Sequence, residues 1–279
     1  MATAVNVLRE AGITAGLKKN VSPFHDCGDV QLSEIRKDSG AKNLINFTQF
    51  LADTKSIRSA VDRVGDESLV FALGGECSIC VGTLAGLKRR LAGEAGMVWI
   101  DAHGDFNTAE TTPSGYIGGM CLAMACGRGP ELTGIARDED RLLSEKNVVH
   151  LASRALDPAE AKTMSSSSMK IYSAPTLRRE GSESTARFVA SSLADRCDWI
   201  ACHLDVDSID PKIIPAVNFP AQDGLTLQET KTIVGAVQRT GKLKLFEFAG
   251  YNADLDRDRA CATKLVRLIS DIFGQLPRK

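Results

Sequence analysis

The sequence predicts an α/β fold built on a mainly parallel sheet. Short apolar runs rich in β-branched residues recur along the chain, helical patterns lie between them, and clustered acidic residues follow two of the runs directly. Such runs are typical of strands buried on both faces, and their alternation with helices is typical of a parallel sheet with right-handed crossovers. The ligand site of such a sheet lies beyond the carboxyl ends of its strands, so the polar residues that follow each run are the first candidates for function.

Five strands and three helices are predicted. The strands cover residues 69–73, 97–100, 148–151, 199–204 and 243–248. The helical patterns cover residues 83–91, the residues leading up to 195, and residues 227–239. Thr226 is a candidate cap of the last helix, because Glu229 stands three residues further on, as in a capping box. Residues 107–119 and the serine run 165–168 are predicted as loops, the first long enough to line a pocket.

The composition is typical of a globular protein with a buried core. The chain has 279 residues, of which 43% are hydrophobic and 25% charged. No internal repeat and no linker divides it, so we predict that residues 1–279 form a single domain. The net charge is -1 and only 5% of the residues are aromatic, so the chain lacks the basic, stacking surface that nucleic-acid binding needs. We expect a small molecule as its partner.

The start of the chain and its cysteines predict a compartment. Residues 1–16 have neither a basic nor an apolar signal-peptide region, and no stretch of about 18 uninterrupted apolar residues occurs anywhere. We therefore expect a cytoplasmic protein that does not associate with membranes. The eight cysteines are interpreted as reduced thiols, one of which is a candidate metal ligand.

Two strand ends carry clustered carboxylates. Asp101, His103 and Asp105 follow the strand 97–100, and Asp205 and Asp207 follow the strand that ends at residue 204. Carboxylates packed this densely repel one another, so the cluster is unfavourable unless a cation neutralises it. One aspartate at a strand end commonly caps a turn, but two such groups rarely coincide for that reason. Oxygen-rich ligands with one imidazole suit hard or borderline divalent metals, and manganese is our first choice.

A third acidic residue of the second cluster is assigned a structural role. Asp210 precedes Pro211, and an aspartate in that position can accept hydrogen bonds from backbone groups of the turn.

Three motifs resemble the signatures of the ureohydrolase family, to which arginases and agmatinases belong. They are GGECS at 74–78, DAHGD at 101–105 and HLDVDSIDP at 203–211, within a match that runs from about residue 8 to about residue 256. The resemblance implies a three-layer α/β/α sandwich, a centre of two manganese ions and a homo-oligomer, usually a trimer or hexamer.

The resemblance also implies the metal ligands and the reaction. Asp101 and Asp205 would bridge the two metals, His103 and Asp207 would bind one of them, and Cys77 and Asp105 would bind the other. The family hydrolyses a guanidinium or amidine carbon with a metal-bridging hydroxide, because two cations lower the pKa of a shared water to near neutrality. Asp105 would be the catalytic residue that orients this hydroxide and accepts its remaining proton.

One metal ligand departs from the family pattern. Where Cys77 stands, the family most often has histidine. A thiolate is softer than imidazole and favours Zn²⁺, Fe²⁺ or Co²⁺ over Mn²⁺. The alternative is a small buried thiol without a metal. Cys77 and Cys80 also have the C-x-x-C spacing of redox and zinc sites, but the glycine-led turn around them fits the family motif better.

The substrate end departs from the pattern at two glycines. Gly118 stands where arginases carry a histidine proton shuttle, and Gly250 stands where they carry the glutamate that binds the guanidinium group. Glu247 is three residues from the second position, which on a strand means the opposite face, although it could bind substrate if the strand has already ended.

Three other residues agree with arginases. Asn107, Ser114 and Asp157 fall where arginases hold the α-carboxylate and the α-amino group of their substrate, and these side chains have the hydrogen-bonding groups for that role. Asp157 is also a good start for a helix, because Pro158 follows it.

The leading hypothesis is an amidinohydrolase of arginine or a close analogue such as N-hydroxyarginine, whose less basic guanidine demands less of the absent histidine and glutamate. A second hypothesis is a relative that cleaves agmatine, formiminoglutamate or another amidine. A third is an arginase-like protein that binds a ligand without turnover. The resemblance begins after the strand and loop that open most family members, so we also expect a sheet edge or groove that other residues must cover.

Overall fold

A computed structural model of the protein describes residues 3–34, 43–65, 67–130 and 141–274. Its strands are β1 (Val70–Leu73), β2 (Ala95–Ile100), β3 (Val148–Ser153), β4 (Lys170–Ser173), β5 (Trp199–Asp205) and β6 (Leu243–Ala249). They form one sheet in the order β1-β6-β5-β2-β3-β4, and every pair in it is parallel. The prediction of an α/β fold with a mainly parallel sheet is confirmed.

Helices cover both faces of this sheet. In the described residues they are α1 (Ala4–Glu10), α2 (Ile13–Asn20), α3 (Phe47–Val61), α4 (Ile79–Arg90), α5 (Cys121–Ala125), α6 (Pro158–Ser165), α7 (Ala174–Glu180), α8 (Ser182–Arg196), α9 (Leu227–Gln238) and α10 (Ala260–Phe273). One apolar core lies between the sheet and α1, α2 and α7 to α10. A second core lies between the sheet and α3 to α6. The three-layer sandwich is therefore the observed architecture.

The predicted strands β2, β3, β5 and β6 are buried at nearly every residue, whereas the predicted β1 is half-buried at three of its four residues. Every residue of β2, β3 and β5 is buried, which is why their sequences are continuous apolar runs. The sequence analysis missed β4, which has four residues with partly exposed side chains at an edge of the sheet. A strand this short and this exposed has no apolar run to reveal it.

Two helices show where sequence patterns succeed and fail. The predicted capping box of α9 is present: the Thr226 hydroxyl accepts the backbone N–H of Glu229, whose carboxylate accepts the backbone N–H of Thr226. Helix α4 begins at Ile79, four residues before the predicted start. Its residues 80–87 are all buried, so they show no polar face from which to find the boundary.

The connectivity places a crevice beside β2. Strands β3 and β4 extend the sheet on one side of β2, whereas β5 and β6 extend it on the other. The chain continues from β2 to one side of the sheet and from β5 to the other. In open parallel sheets, a crevice forms at the carboxyl ends of two such neighbouring strands, and ligands bind there.

Strand β1 lies at the other edge of the sheet. A groove of about 3080 Å³ runs beside it, lined by residues of β1, of α3 and of the segment 21–33. Among the residues that the structure describes, no helix is both long and apolar enough to cross a membrane.

Candidate metal centre

The acidic clusters meet because their strands are neighbours. Asp101 follows β2 directly and Asp205 is the last residue of β5, and these strands pair with Ile100 opposite Leu204. Cys77 reaches the same place from the loop between β1 and α4.

The ligand atoms form two groups, in each of which all atoms lie within 4.8 Å of one another. The first contains Cys77, Asp101, His203 and Asp205, and the second contains Asp101, His103 and Asp207. Asp101 belongs to both. Five of the six predicted metal ligands are thus brought together. Asp105 is in neither group, and His203 joins the first without having been predicted.

Short contacts hold the two groups in place. The Nδ1 atom of His103 lies 3.0 Å from Asp207 Oδ2 and 3.5 Å from Asp101 Oδ1. The thiol of Cys77 donates to Asp205 Oδ2 at 2.8 Å. The backbone N–H of Asp207 donates to Asp205 Oδ1 at 2.7 Å, which fixes the turn after β5.

Burial and mutual repulsion disfavour negative charge on Asp205, Asp207 and Cys77. Burial, then the neighbouring Asp207, raises the pKa of Asp205 to about 7, and burial, then Asp101, raises the pKa of Asp207 to about 6. The pKa of the Cys77 thiol is raised well above its ordinary value by burial and then by Asp205. Burial alone would lower the pKa of His103, but its hydrogen bonds to Asp101 and Asp207 outweigh this and raise it to about 11.

Divalent cations fit these residues. A cation relieves the repulsion that raises the carboxylate pKa values, and a thiol that binds a metal loses its proton. The second group offers two carboxylates and an imidazole, which suits hard or borderline cations, and the first adds a softer thiol. The residues could therefore hold two metal ions that share the Asp101 carboxylate.

Asp105 is held beside the centre by an unusual backbone. Its φ of 49° is in the left-handed region, which a residue other than glycine adopts only when its surroundings impose it. Here the Asp105 carbonyl accepts the backbone N–H groups of Leu122 and Ala123 at 3.0 and 3.1 Å. Burial and then the charges of Asp101 and Asp205 raise the pKa of its carboxyl group.

Two of the three residues predicted to hold an amino acid lie together. The Asn107 amide donates to Asp157 Oδ2 at 2.9 Å. The Glu160 carboxylate joins their loops, because it accepts the backbone N–H of Phe106 at 2.8 Å and that of Asp157 at 3.2 Å. Ser114 is exposed, and its hydroxyl accepts the backbone N–H of Tyr116.

Glu247 has contacts other than those predicted. Strand β6 continues to Ala249, so Glu247 still lies within the strand, and its side chain is fully buried. Its carboxylate lies 2.7 Å from His203 Nδ1 and accepts a hydrogen bond from Thr83. This geometry does not support the prediction that Glu247 binds substrate, because both oxygens are engaged inside the protein.

Neighbouring side chains leave no room for a Cβ atom at Gly118 or Gly250, the two positions where arginases carry larger residues. A Cβ atom at Gly118 would lie 2.5 Å from the ring of Tyr116, whose hydroxyl is hydrogen-bonded to Glu76. Gly250 has a φ of 86°, and a Cβ atom there would lie 2.1 Å from Asp205 Oδ1. The end of β6 thus approaches a predicted metal ligand so closely that no side chain fits.

A left-handed backbone conformation costs an alanine about 1–2 kcal/mol. We expect Gly250→Ala to destabilise the protein by more than this, because the new methyl group must also displace Asp205. Gly241→Ala is the matched control, since Gly241 has a φ of 72° but open space around a Cβ atom. Urea unfolding and metal analysis of both variants test this. Equal losses of stability with unchanged metal content would show that Asp205 is not displaced.

Three residues near the centre were not found from the sequence. His203 could have been found, because it stands two residues before Asp205 on a strand and must therefore face the same side. Tyr116 and Phe219 carried no such signal. The exposed Phe219 ring lies 6.0 Å from those of His103 and Tyr116, which the fold alone brings together.

Comparisons with known proteins agree with the fold and the motifs. The model of the Arginase family matches residues 2–274. Arginase from Bacillus caldovelox is 32% identical over 274 residues, which cover 97% of this chain and 91% of that one. A crystal structure of the Bacillus caldovelox arginase superimposes with a TM-score of 0.91 at 30% identity, covering 98% of this chain and 92% of that one. The structure of Entamoeba histolytica arginase in complex with L-ornithine has a TM-score of 0.89 at 25% identity, with the same coverage of both chains.

The fold and the acidic centre define a hydrolase that acts on the C–N bonds of linear amidines. The chain belongs to the arginase family. It is thus an amidinohydrolase of the ureohydrolase type.

Proposed function

We propose that the protein hydrolyses the guanidino group of arginine, or of a close analogue such as N-hydroxyarginine, with two divalent cations. One observation carries the proposal: Asp101, which both ligand groups share, lies on the same loop as Asn107, which is hydrogen-bonded to Asp157. This loop thus joins the candidate metal centre to a pair of groups suited to an amino-acid head group. The L-ornithine in the Entamoeba histolytica arginase structure supports this, because ornithine is also an α-amino acid.

Different residues of the chain are proposed to act in catalysis and in substrate binding. Bound cations supply Lewis acidity, which makes water a nucleophile near neutral pH. Asp105, buried beside the ligand groups, orients that water and accepts its proton. Asp157 pairs with the α-ammonium group of the substrate, and Asn107 and Ser114 hydrogen-bond its carboxylate. The products are an amine and urea, or a urea derivative.

The metal we propose is Mn²⁺, because carboxylates and an imidazole make up the second ligand group. Cys77 makes Zn²⁺, Fe²⁺ or Co²⁺ the alternatives. From family membership we also propose a homo-oligomer, a trimer or hexamer, which light scattering of the purified protein tests.

Metal analysis of protein purified without added metal, followed by a urea assay over a panel of guanidino compounds, tests the function. We expect two metals per chain and faster release of urea from arginine, or of N-hydroxyurea from N-hydroxyarginine, than of urea from agmatine. Preference for agmatine, or turnover only of amidines that release neither urea nor N-hydroxyurea, would favour a different ureohydrolase. Metal binding without turnover of any amidine would favour a binding protein.

We expect Cys77→His to retain metal and to shift its preference towards Mn²⁺, because an imidazole replaces a soft thiolate. Competition between Mn²⁺ and Zn²⁺, measured by metal analysis after dialysis, gives the preference. Cys80→Ala is the matched control, since Cys80 is equally buried but is in neither ligand group. If Cys77→His has the metal content and preference of the parent, Cys77 is not a ligand.

A further inference from the structure

His203 is a buried histidine with one unused ring nitrogen. It lies in the middle of the sheet on β5 and is fully buried. Its Nδ1 atom lies 2.7 Å from Glu247, whereas its Nε2 atom has no hydrogen-bond partner among the residues that the structure describes. A buried polar atom without a partner is unfavourable, so it calls for an explanation, and a bound ion is one of them.

The neighbours of His203 determine which nitrogen is available. In the tautomer with the proton on Nδ1, the ring donates a hydrogen bond to the Glu247 carboxylate and Nε2 keeps its lone pair. The Thr83 hydroxyl donates to the other oxygen of Glu247 and so fixes the carboxylate. Metal-bound histidines typically donate their second ring N–H to a carboxylate in this way.

Trp99 fixes the plane of the imidazole. Its ring stacks on that of His203 with centroids 3.8 Å apart and planes 7° from parallel. The indole N–H of Trp99 also donates to Asp101 Oδ2 at 3.2 Å. One buried tryptophan therefore orients both His203 and the carboxylate that the two ligand groups share.

We propose that His203 binds a metal ion through Nε2 in the first ligand group, with Cys77, Asp101 and Asp205. A ring nitrogen of His203 lies within 4.8 Å of the ligand atoms of these three residues, and Nδ1 is engaged by Glu247. The imidazole that the family usually has at the position of Cys77 is thus supplied from β5. Glu247 is a positioning residue that holds this imidazole. The inference rests on the proposed metal-dependent function.

Three variants test the assignment, with Co²⁺ and Mn²⁺ as probes and with binding measured by calorimetry on metal-free protein. We expect His203→Asn to weaken binding of one of the two cations by at least about 10- to 100-fold, the loss typical of removing even an outer partner of a metal ligand. The other cation should bind as in the parent. The double variant Cys77→His with His203→Asn should restore two-metal binding, because it returns an imidazole to the same metal.

His150→Asn is the matched control. His150 is also fully buried, and it pairs with Trp99 from β3 as His203 does from β5. Neither of its ring nitrogens has a hydrogen-bond partner in the described part of the chain, but it is in neither ligand group. His150→Asn should therefore leave both metal affinities unchanged, whereas Glu247→Gln should weaken the same cation as His203→Asn, by about 10-fold.

The outcomes separate this inference from the proposed function. A parent protein that binds neither probe contradicts the metal-dependent function itself. A parent that binds two cations, with a His203→Asn variant that binds both at unchanged affinity, contradicts the role of His203 alone. X-ray absorption of the Co²⁺-loaded parent tests the assignment without any variant. We expect two imidazole ligands, His103 and His203, for every two cations bound. A single imidazole per two cations would overturn the inference.

Discussion

Replacing Asp101 by asparagine is expected to abolish the binding of two cations and to reduce hydrolysis by about a thousandfold or more. Asp101 is the residue that both ligand groups contain, and it is buried at the end of β2. An amide supplies no charge to compensate a divalent cation, so both sites are weakened by one substitution. Asp205→Asn should behave in the same way if Asp205, which is in the first ligand group, also bridges the cations, as the family resemblance implies.

Metal analysis, the urea assay and urea unfolding of the same preparations check this prediction. Metal-free Asp205→Asn should be at least as stable as the metal-free parent, because it loses a charge that burial and Asp207 disfavour. Asp210→Asn is the control: Asp210 lies outside both ligand groups, and its carboxylate accepts the backbone N–H groups of Lys212 and Gly224. Two metals per chain in purified Asp101→Asn or Asp205→Asn would refute the bridging assignment.

Asp157→Ala is expected to raise the KM for an amino-acid substrate by about 5- to 150-fold, the equivalent of about 1–3 kcal/mol for a lost charged hydrogen bond. The KM for 5-guanidinopentanoate should change far less, because this arginine analogue keeps the carboxylate but has no α-ammonium group to lose its partner. The measurement is the ratio of the two KM changes. Because both substrates carry the same guanidino group, this ratio reports on binding of the amino-acid head group rather than on the metal centre.

A second variant separates binding from helix capping. Asp157 precedes α6, so alanine there also removes a favourable residue from the start of a helix, at a cost of about 1 kcal/mol of stability. Asp157→Asn keeps a good capping residue but removes the negative charge. If its KM for the amino acid equals that of the parent, pairing with an ammonium group is not the role of Asp157. Equal turnover of arginine and agmatine by the parent would contradict the amino-acid specificity as a whole.

Sequence reasoning succeeded where local pattern and burial coincide. The runs that became β2, β3 and β5 are apolar throughout because those strands are buried on both faces. Thr226 and Glu229 form the predicted capping box because its hydrogen bonds join residues only three apart. Asp210 accepts the backbone N–H of Lys212 in its own turn, as expected of an aspartate before proline.

It failed where distant parts of the chain meet. Glu247 was assigned to the substrate from its place near Gly250 in the sequence, but β6 extends past it and turns its carboxylate towards His203 and Thr83. The side chain that fills the space beside Gly118 is Tyr116, and the group that excludes a side chain at Gly250 is Asp205. None of these pairings has a signature in local periodicity.

The sequence by itself determined the fold class, because its apolar runs record which strands are buried, and the family through the resemblance of its three motifs to the ureohydrolase signatures. Only the tertiary structure decided which side chains surround each predicted cation. The sheet order sets β5 between β2 and β6, and so brings the His203 imidazole between Trp99 and Glu247 and within reach of Cys77. Ligand geometry depends on contacts between strands that are far apart in the chain, which residue spacing within one motif does not encode.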